Sequence, residues 1–280
     1  MLKQSRRRNA APGVRGSIMK VAWIGLGQMG LPTAKAVAAG GHEVRAFDVK
    51  PPAADDSQGL VMVSSPREAA EGADLVCLAV FSDDQVADVL TGPEGVISLL
   101  KPGAIVAVFT TGSIESIQAI AAAVPAGIAI LDTCFSRMQS EMASGKLTLL
   151  VGGDADAIER GRPVFDTFAR AIFHVGASGA GRAIKLVNNI LFAGHLQLAA
   201  DALRLAEGLG LERSSTAAAL IQCSGASDVL ARFVTEDPAY MLETARRYMV
   251  KDVSAAIDAG NKAGVELEAL SAATATYLTK

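Results

Sequence analysis

The sequence predicts an α/β fold, a doubly wound parallel sheet in the N-terminal part followed by an all-α C-terminal domain. Three observations carry this. Short apolar runs alternate with helical stretches as far as Val175, no strand pattern follows them, and the first run leads straight into Gly25-Leu26-Gly27-Gln28-Met29-Gly30. Alternation of strand and helix at this spacing implies a largely parallel sheet covered on both faces.

The expected strands, in order, are residues 21–24, 44–47, 75–80, 105–109, 128–131, 147–151 and 172–175. Gly72-Ala73-Asp74, Lys101-Pro102-Gly103 and Val124-Pro125-Ala126-Gly127 punctuate them as turns or helix ends. After Gly176-Ala177-Ser178-Gly179-Ala180-Gly181 the pattern changes. From Arg182 to Leu209 there is no proline, and Leu186, Ile190, Ala193, Gln197 and Ala200 follow the 3.6-residue repeat, with Gly208 and Gly210 as stop signals. Residues 212–280 read as further helices. Ahead of the first strand, residues 1–17 hold five positive charges and no long apolar core, so they read as a disordered extension or a mis-called start and not as a secretory signal.

The glycine run sits between an apolar strand and a helix, and Asp48 ends the next apolar run roughly twenty residues on. This is a Rossmann-type dinucleotide fingerprint. The first glycine permits a tight turn, the second lets backbone approach a pyrophosphate, and the third allows close packing of helix on strand. The phosphates then meet unpaired N–H groups at a helix N-terminus. Asp48 accepts hydrogen bonds from the ribose hydroxyls of NAD, and a 2′-phosphate there meets like charge. The plainer role for Asp48 is a helix cap or turn residue. Arg45 and Lys50 lie close enough in sequence to receive a 2′-phosphate, so the expected cofactor is NAD with NADP left open. The expected organisation is an extension at residues 1–18, a dinucleotide-binding domain at 19–181, and an all-helical domain at 182–280 that begins with a long interdomain helix and serves substrate closure and oligomerisation.

Composition narrows the partners. The chain has 280 residues, 50% hydrophobic content and a net charge of −3, enough to bury a substantial core. Apart from Arg6-Arg7-Arg8 neither sign of charge runs in blocks, which argues against nucleic acid. No uninterrupted apolar stretch reaches membrane-spanning length. Cys77, Cys134 and Cys223 are far apart, and His42, His174 and His195 are scattered, so neither a disulfide framework nor a metal site is expected; this usage suits a reducing cytoplasm.

Lys185 and Asn189 lie four residues apart on the long predicted helix, hence on one face about a turn apart, with Asn188 nearby. A lysine within Ala183-Ile184-Lys185-Leu186-Val187 is partly desolvated, the condition that brings its amine toward proton transfer. A snorkelling surface lysine is the alternative.

These segments resemble the β-hydroxyacid dehydrogenase family, which includes 3-hydroxyisobutyrate dehydrogenases and tartronate semialdehyde reductases. The resemblance rests on Gly25-Leu26-Gly27-Gln28-Met29-Gly30-Leu31-Pro32, Gly41-His42-Glu43-Val44, Gly179-Ala180-Gly181-Arg182-Ala183-Ile184-Lys185-Leu186-Val187-Asn188-Asn189 and Lys251-Asp252. It implies Lys185 as the catalytic lysine and Asn189 as its companion, holding substrate. It also implies that Lys251 and Asp252 close the site from the helical domain, among the cofactor contacts. Val80 and Phe81 correspond to a loop that lays backbone against the dinucleotide, without the family's usual proline, and Thr111 to a residue near the nicotinamide. Family members dimerise or tetramerise, which implies a homodimer or homotetramer here.

The substrate loop departs from the family. Asp132-Thr133-Cys134-Phe135-Ser136-Arg137-Met138 keeps Ser136 but puts Arg137 and Met138 where relatives carry two glycines. Arg137 either binds a substrate carboxylate bidentately, suiting a more acidic or larger substrate, or faces solvent and pairs with Glu141. Cys134 beside Ser136 reads as a nucleophile or, with no histidine partner, as a small packing residue. Thr244 replaces a phenylalanine common in relatives, and the end of the chain lacks their Gly-rich acidic tail. The expected function is NAD(P)-dependent interconversion of a small hydroxy acid, a carboxylate substrate, with its aldehyde or keto form by hydride transfer, with Lys185 as general acid/base. Two alternatives stand beside it: an imine reductase on the same scaffold, against which the retained Lys185 argues, and a catalytically silent NAD(P)-binding sensor.

Overall fold

The computed structural model describes residues 17–136 and 147–278. The expected extension at residues 1–18 falls almost entirely outside them, as do Arg137, Met138 and Glu141. Contacts divide the chain into two compact units, one ending at Lys185 and one beginning at Leu186.

The first unit is built on one sheet of eight strands: β1 (Lys20–Ile24), β2 (Glu43–Phe47), β3 (Val61–Met62), β4 (Leu75–Leu78), β5 (Ile105–Val108), β6 (Ala129–Ser136), β7 (Leu147–Gly152) and β8 (Ala169–Gly176). Their order across the sheet is β3-β2-β1-β4-β5-β6-β7-β8. Every neighbouring pair is parallel except β6 with β7. The strand order reverses between β1 and β4, and in such sheets ligands bind at the carboxyl ends of the strands flanking that switch point.

Both faces of the sheet are apolar because helices cover both. Val21 and Trp23 of β1 and Leu75 and Cys77 of β4 join one buried cluster with Ala34, Val37, Ile158 and Phe165. The intervening Ala22, Ile24, Val76 and Leu78 join another with Val86, Leu90, Ile117 and Ile120. The first cluster takes its helical residues from α1 (Gly30–Ala39) and α5 (Ala155–Phe165). The second takes them from α3 (Asp83–Thr91) and α4 (Ile114–Ala123), with α2 (Pro66–Ala70) contributing Ala69 and Ala70. Alternation of side chains along each strand thus feeds two cores, and the strands read as continuous apolar runs.

Two features differ from the sequence expectation. β3 is a two-residue strand paired to Arg45 and Ala46, too short to register as an apolar run. β6 continues five residues past Leu131, because Asp132 to Ser136 pair antiparallel with Gly152 to Thr148. The polar Asp132 and Thr133 interrupt the hydrophobic pattern, yet both are fully buried.

Among its described residues the second unit has helices and no strand. α6 (Ala180–Gly208) starts in the first unit and runs unbroken into the second, followed by α7 (Arg213–Leu220), α8 (Asp228–Arg232), α9 (Pro238–Lys262) and α10 (Glu268–Leu278). Leu196, Ala199, Ala200 and Leu203 of α6 pack with Val229, Leu230, Phe233 and Met241. Ala193 packs with Val253 and Tyr277.

Candidate active site

Each glycine of the turn after β1 has its own reason. Gly25 has φ +100°, and a Cβ there would lie 2.5 Å from Ala79 O at the end of β4. A Cβ on Gly30 would overlap Gly25 O and come within 3.0 Å of Gly25 C. Gly27 is different: a Cβ there meets nothing within 4 Å, so bare backbone faces open space. Beneath the turn, buried Trp23 donates from Nε1 to Gly25 O at 3.1 Å and stacks on Phe109, ring centroids 5.5 Å apart.

The helix that follows opens without a side-chain cap. At α1 the cap residue Met29 makes no side-chain hydrogen bond, whereas Ser65, Ser82, Ser113 and Asp154 cap α2 to α5. A helix start without a side-chain cap and with a favourable dipole suits an anion. With the open backbone at Gly27, these residues fit the pyrophosphate of a dinucleotide. Leu26, Gln28 and Met29 complete this turn.

Asp48 follows β2 and its carboxylate serves the turn directly. Oδ2 accepts from the backbone N–H of Leu26 at 2.6 Å, and Oδ1 from that of Lys50 at 2.8 Å. A carboxylate offers about four acceptor sites, so the turn role leaves capacity for ribose hydroxyls. Arg45 donates to Glu68 O at 3.3 Å.

The loops after β4 and β5 face each other across the sheet. Thr110, buried, donates from Oγ1 to Val80 O at 2.8 Å. Thr111 is half-buried and Phe81 is 72% exposed. Asp83 and Ser113 tie these loops together, since the backbone N–H of Ser113 donates to Asp83 Oδ2 at 2.8 Å. Ser136 closes β6 opposite Thr148. Cys134 is fully buried in that strand, a packing position.

The base of α6 is set by Asp132. Its Oδ2 accepts from the backbone N–H of Arg182 at 3.0 Å, so a carboxylate from β6 caps the long helix. Gly181 permits the approach, because a Cβ there would lie 2.8 Å from Leu150 O. Burial pushes the Asp132 carboxyl above its ordinary value, opposed by the backbone N–H groups of Arg182, Gly152 and Gly179 and by the Arg182 charge. Further along, Lys185 is half-buried. Asn189, 4% exposed, is held at both ends of its amide: Nδ2 donates to Asp252 Oδ2 at 2.6 Å, and Oδ1 accepts from Asn188 Nδ2 at 3.0 Å. Asp252 is buried on α9, and its neighbour Lys251 is exposed.

Several residues in this arrangement carried no sequence expectation. Asp83, Thr110 and Asp132 act through contacts distant in sequence, whereas Trp23 supports the turn locally through Gly25 O. Arg182 was legible in principle, since it is as conspicuous a charge in the apolar start of α6 as Lys185. Other expected features take ordinary places. His42 accepts from Met19 N and faces Pro163 O, and His174 lies against Gly153 O and Gly176 O. Thr244 is exposed, its hydroxyl bonded back to Tyr240 O. Among the described residues no group of three or more His, Cys, Asp or Glu side chains is placed to hold a metal, and no helix is long and apolar enough to cross a membrane. A crevice of about 500 Å3 between residues 207–214 and 233–237 includes none of the residues above.

A mostly parallel sheet with a glycine turn at its switch point, followed by a helical unit, defines the class of Rossmann-type dinucleotide-binding proteins. Residues 20–176 match the family profile described as the NAD binding domain of 6-phosphogluconate dehydrogenase, and residues 179–279 match the NAD-binding domain of NADP-dependent 3-hydroxyisobutyrate dehydrogenase. An NAD-dependent L-serine dehydrogenase of Pseudomonas aeruginosa is 35% identical over 74% of this chain and 70% of its own length. The solved 3-hydroxyisobutyrate dehydrogenase of Mycobacterium tuberculosis, with L-serine, superposes with a TM-score of 0.82 at 28% identity, covering 93% of each chain. An imine reductase from a Pseudomonas species shares the fold, with a TM-score of 0.64 at 18% identity over 93% of each chain. The chain belongs to the β-hydroxyacid dehydrogenase family and is an NAD(P)-dependent oxidoreductase acting on the hydroxyl group of small hydroxy acids.

Proposed function

We propose that Lys185 is the general acid/base of this oxidoreductase and that Asn189, one turn on, orients the substrate. The observation that carries this is the pair on α6: a half-buried amine and a buried amide locked by Asp252. The glycine turn, from Gly25 to Gly30, holds the pyrophosphate; Asp48 holds the adenine-side ribose, and its charge favours NAD over NADP. Val80, Phe81 and Thr111 are assigned to the nicotinamide half, Lys251 to the cofactor, and Asp252 acts through Asn189. When bound, the cofactor takes or gives the hydride. Lys185 gives or takes the proton at the substrate oxygen, and Asn189 keeps one amide N–H for that substrate. Ser136 binds the substrate, and Arg137, outside the described residues, receives its carboxylate.

General acid–base catalysis contributes about 10²–10⁴-fold, so Lys185→Ala lowers turnover by that order while NADH binding is kept. A panel of small 3-hydroxy and 2-hydroxy acids assayed with NAD supplies the substrate. Near-normal turnover in Lys185→Ala removes Lys185 from the role, and NAD binding without turnover on any substrate favours a sensor.

The chain is further proposed to work as a homodimer or homotetramer. Ile184, Leu191, Leu198 and Leu205 recur every seven residues along α6 and are 37%, 46%, 58% and 65% exposed. A heptad stripe of this kind suits pairing with a second copy. Cys77 and Cys134 are buried without a disulfide, and we assign the protein to the cytoplasm.

A further inference from the structure

Arg182 stands one turn before Lys185, and its side chain is fully buried. Its Nη1 donates to Asp83 Oδ1 at 2.8 Å and to Ser113 O at 2.6 Å. Asp83 begins α3, directly after Val80, Phe81 and Ser82, and Ser113 caps α4 directly after Thr110, Thr111 and Gly112. One nitrogen therefore joins the ends of two loops to the root of the helix that carries Lys185. The remaining donors, Nε and Nη2, are buried with no hydrogen-bond partner among the described residues. An apolar side chain of similar volume would avoid both those unpaired donors and the desolvation of the charge, so packing alone gives no reason for an arginine here.

We propose that Arg182 is a positioning residue: through Asp83 and Ser113 it sets the loops bearing Val80, Phe81 and Thr111 in register with the base of α6, and so governs cofactor affinity. This rests on the reading that those loops hold the nicotinamide half of NAD. The tie is geometric. Asp83 receives the guanidinium on one oxygen and the Ser113 backbone on the other, which fixes the separation of the two loops. Removing the guanidinium leaves Asp83 with one partner, and the loops are then held by Thr110 Oγ1 to Val80 O and by Ser113 N to Asp83.

The test uses the full chain with Arg182→Met, Asp83→Asn and the double variant. NADH affinity is read by energy transfer from Trp23, the single tryptophan, alongside KM for NAD, kcat and Tm. Arg182→Met is expected to raise Kd for NADH and KM for NAD by about tenfold, the size of one charge-assisted hydrogen bond lost from the positioning of the loops, with kcat at saturating NAD changed far less. Asp83→Asn moves both in the same direction, and the double variant is no worse than Arg182→Met, because one tie is removed either way. Folded Arg182→Met that binds NADH as the wild type does overturns the proposal, as do losses that multiply in the double variant. If Arg182→Met fails to fold, Asp83→Asn decides in the same terms. Absence of any NADH signal from the wild-type chain overturns the cofactor reading beneath the proposal together with it; a wild-type signal retained in the variants overturns the proposal alone.

Discussion

Gly30→Ala and Gly27→Ala, three residues apart in one turn, separate stability from binding. At Gly30 the added methyl overlaps Gly25 O and sits 3.3 Å from Trp23 Nε1, so either α1 moves off β1 or the Gly25 carbonyl turns away from the indole. Overpacking of this kind costs about 1–3 kcal/mol. Breaking the buried Trp23 bond adds about 1–3 kcal/mol for the groups left unpaired. The sum, about 2–6 kcal/mol, corresponds at about 2–4 °C per kcal/mol to a Tm lowered by roughly 4–24 °C. At Gly27 the methyl enters open space and φ is outside the left-handed region. Stability there is unchanged or rises by about 0.4–1 kcal/mol, while NADH affinity falls because the methyl occupies the approach to the backbone. Thermal melts followed by circular dichroism and NADH titration by Trp23 energy transfer measure both quantities on the same samples. A Gly30→Ala protein melting within about 2 °C of wild type refutes the packing argument. A Gly27→Ala protein with undiminished NADH affinity refutes the assignment of this backbone to the pyrophosphate.

Three further outcomes follow from the same geometry. Asp48→Ser removes the charge proposed to meet the ribose and is expected to narrow the preference for NAD over NADP; parallel titrations with NADH and NADPH measure it, and an unchanged ratio counts against Asp48 as the discriminating group. Asp132 has a raised pKa in the folded chain, so the native state prefers its protonated form. That contribution is fully present below the ordinary value of 3.8 and is lost as pH rises through the raised value; Asp132→Asn cannot ionise, so its stability relative to wild type improves from acid toward neutral pH in denaturant titrations, and a difference flat with pH contradicts the assignment. Leu198→Glu places a charge in the heptad stripe and is expected to lower the mass measured by light scattering to that of a monomer, whereas an unaltered assembly locates the interface elsewhere.

How far the sequence could be read depends on which interactions are local. The runs around Val21, Val44, Leu75 and Ile105 announce their strands because buried parallel strands need apolar side chains on both faces. The turn from Gly25 to Gly30 announces itself because close backbone approaches demand glycine at positions 25 and 30, while the open backbone at Gly27 suits an approaching pyrophosphate. β3 was hidden by its length. The extension of β6 was hidden by Asp132 and Thr133, which interrupt the hydrophobic pattern, Asp132 because its carboxylate caps α6. Asn189 was singled out by its spacing from Lys185 and Asp252 by family resemblance, but their pairing spans 63 residues and no local periodicity encodes it. Arg182 stood out as a charge in the apolar start of α6, but its partners, Asp83 and Ser113, are 99 and 69 residues away, so its role was not legible locally. Spacing along a helix reports which residues share a face, and it is silent about what that face meets.

The division of the chain between Lys185 and Leu186 falls inside α6, an unbroken helix, with no linker to mark it. A recombinant that exchanges helical units between relatives at this junction therefore takes its amine at 185 from one parent and its amide at 189, with the carboxylate that locks it, from the other. Under the roles proposed for Lys185 and Asn189, substrate range and proton transfer become separately inheritable traits in such a chimera, with the helical phase across residues 185 to 189 preserved; a one-residue insertion there would turn one group about 100° away from the other.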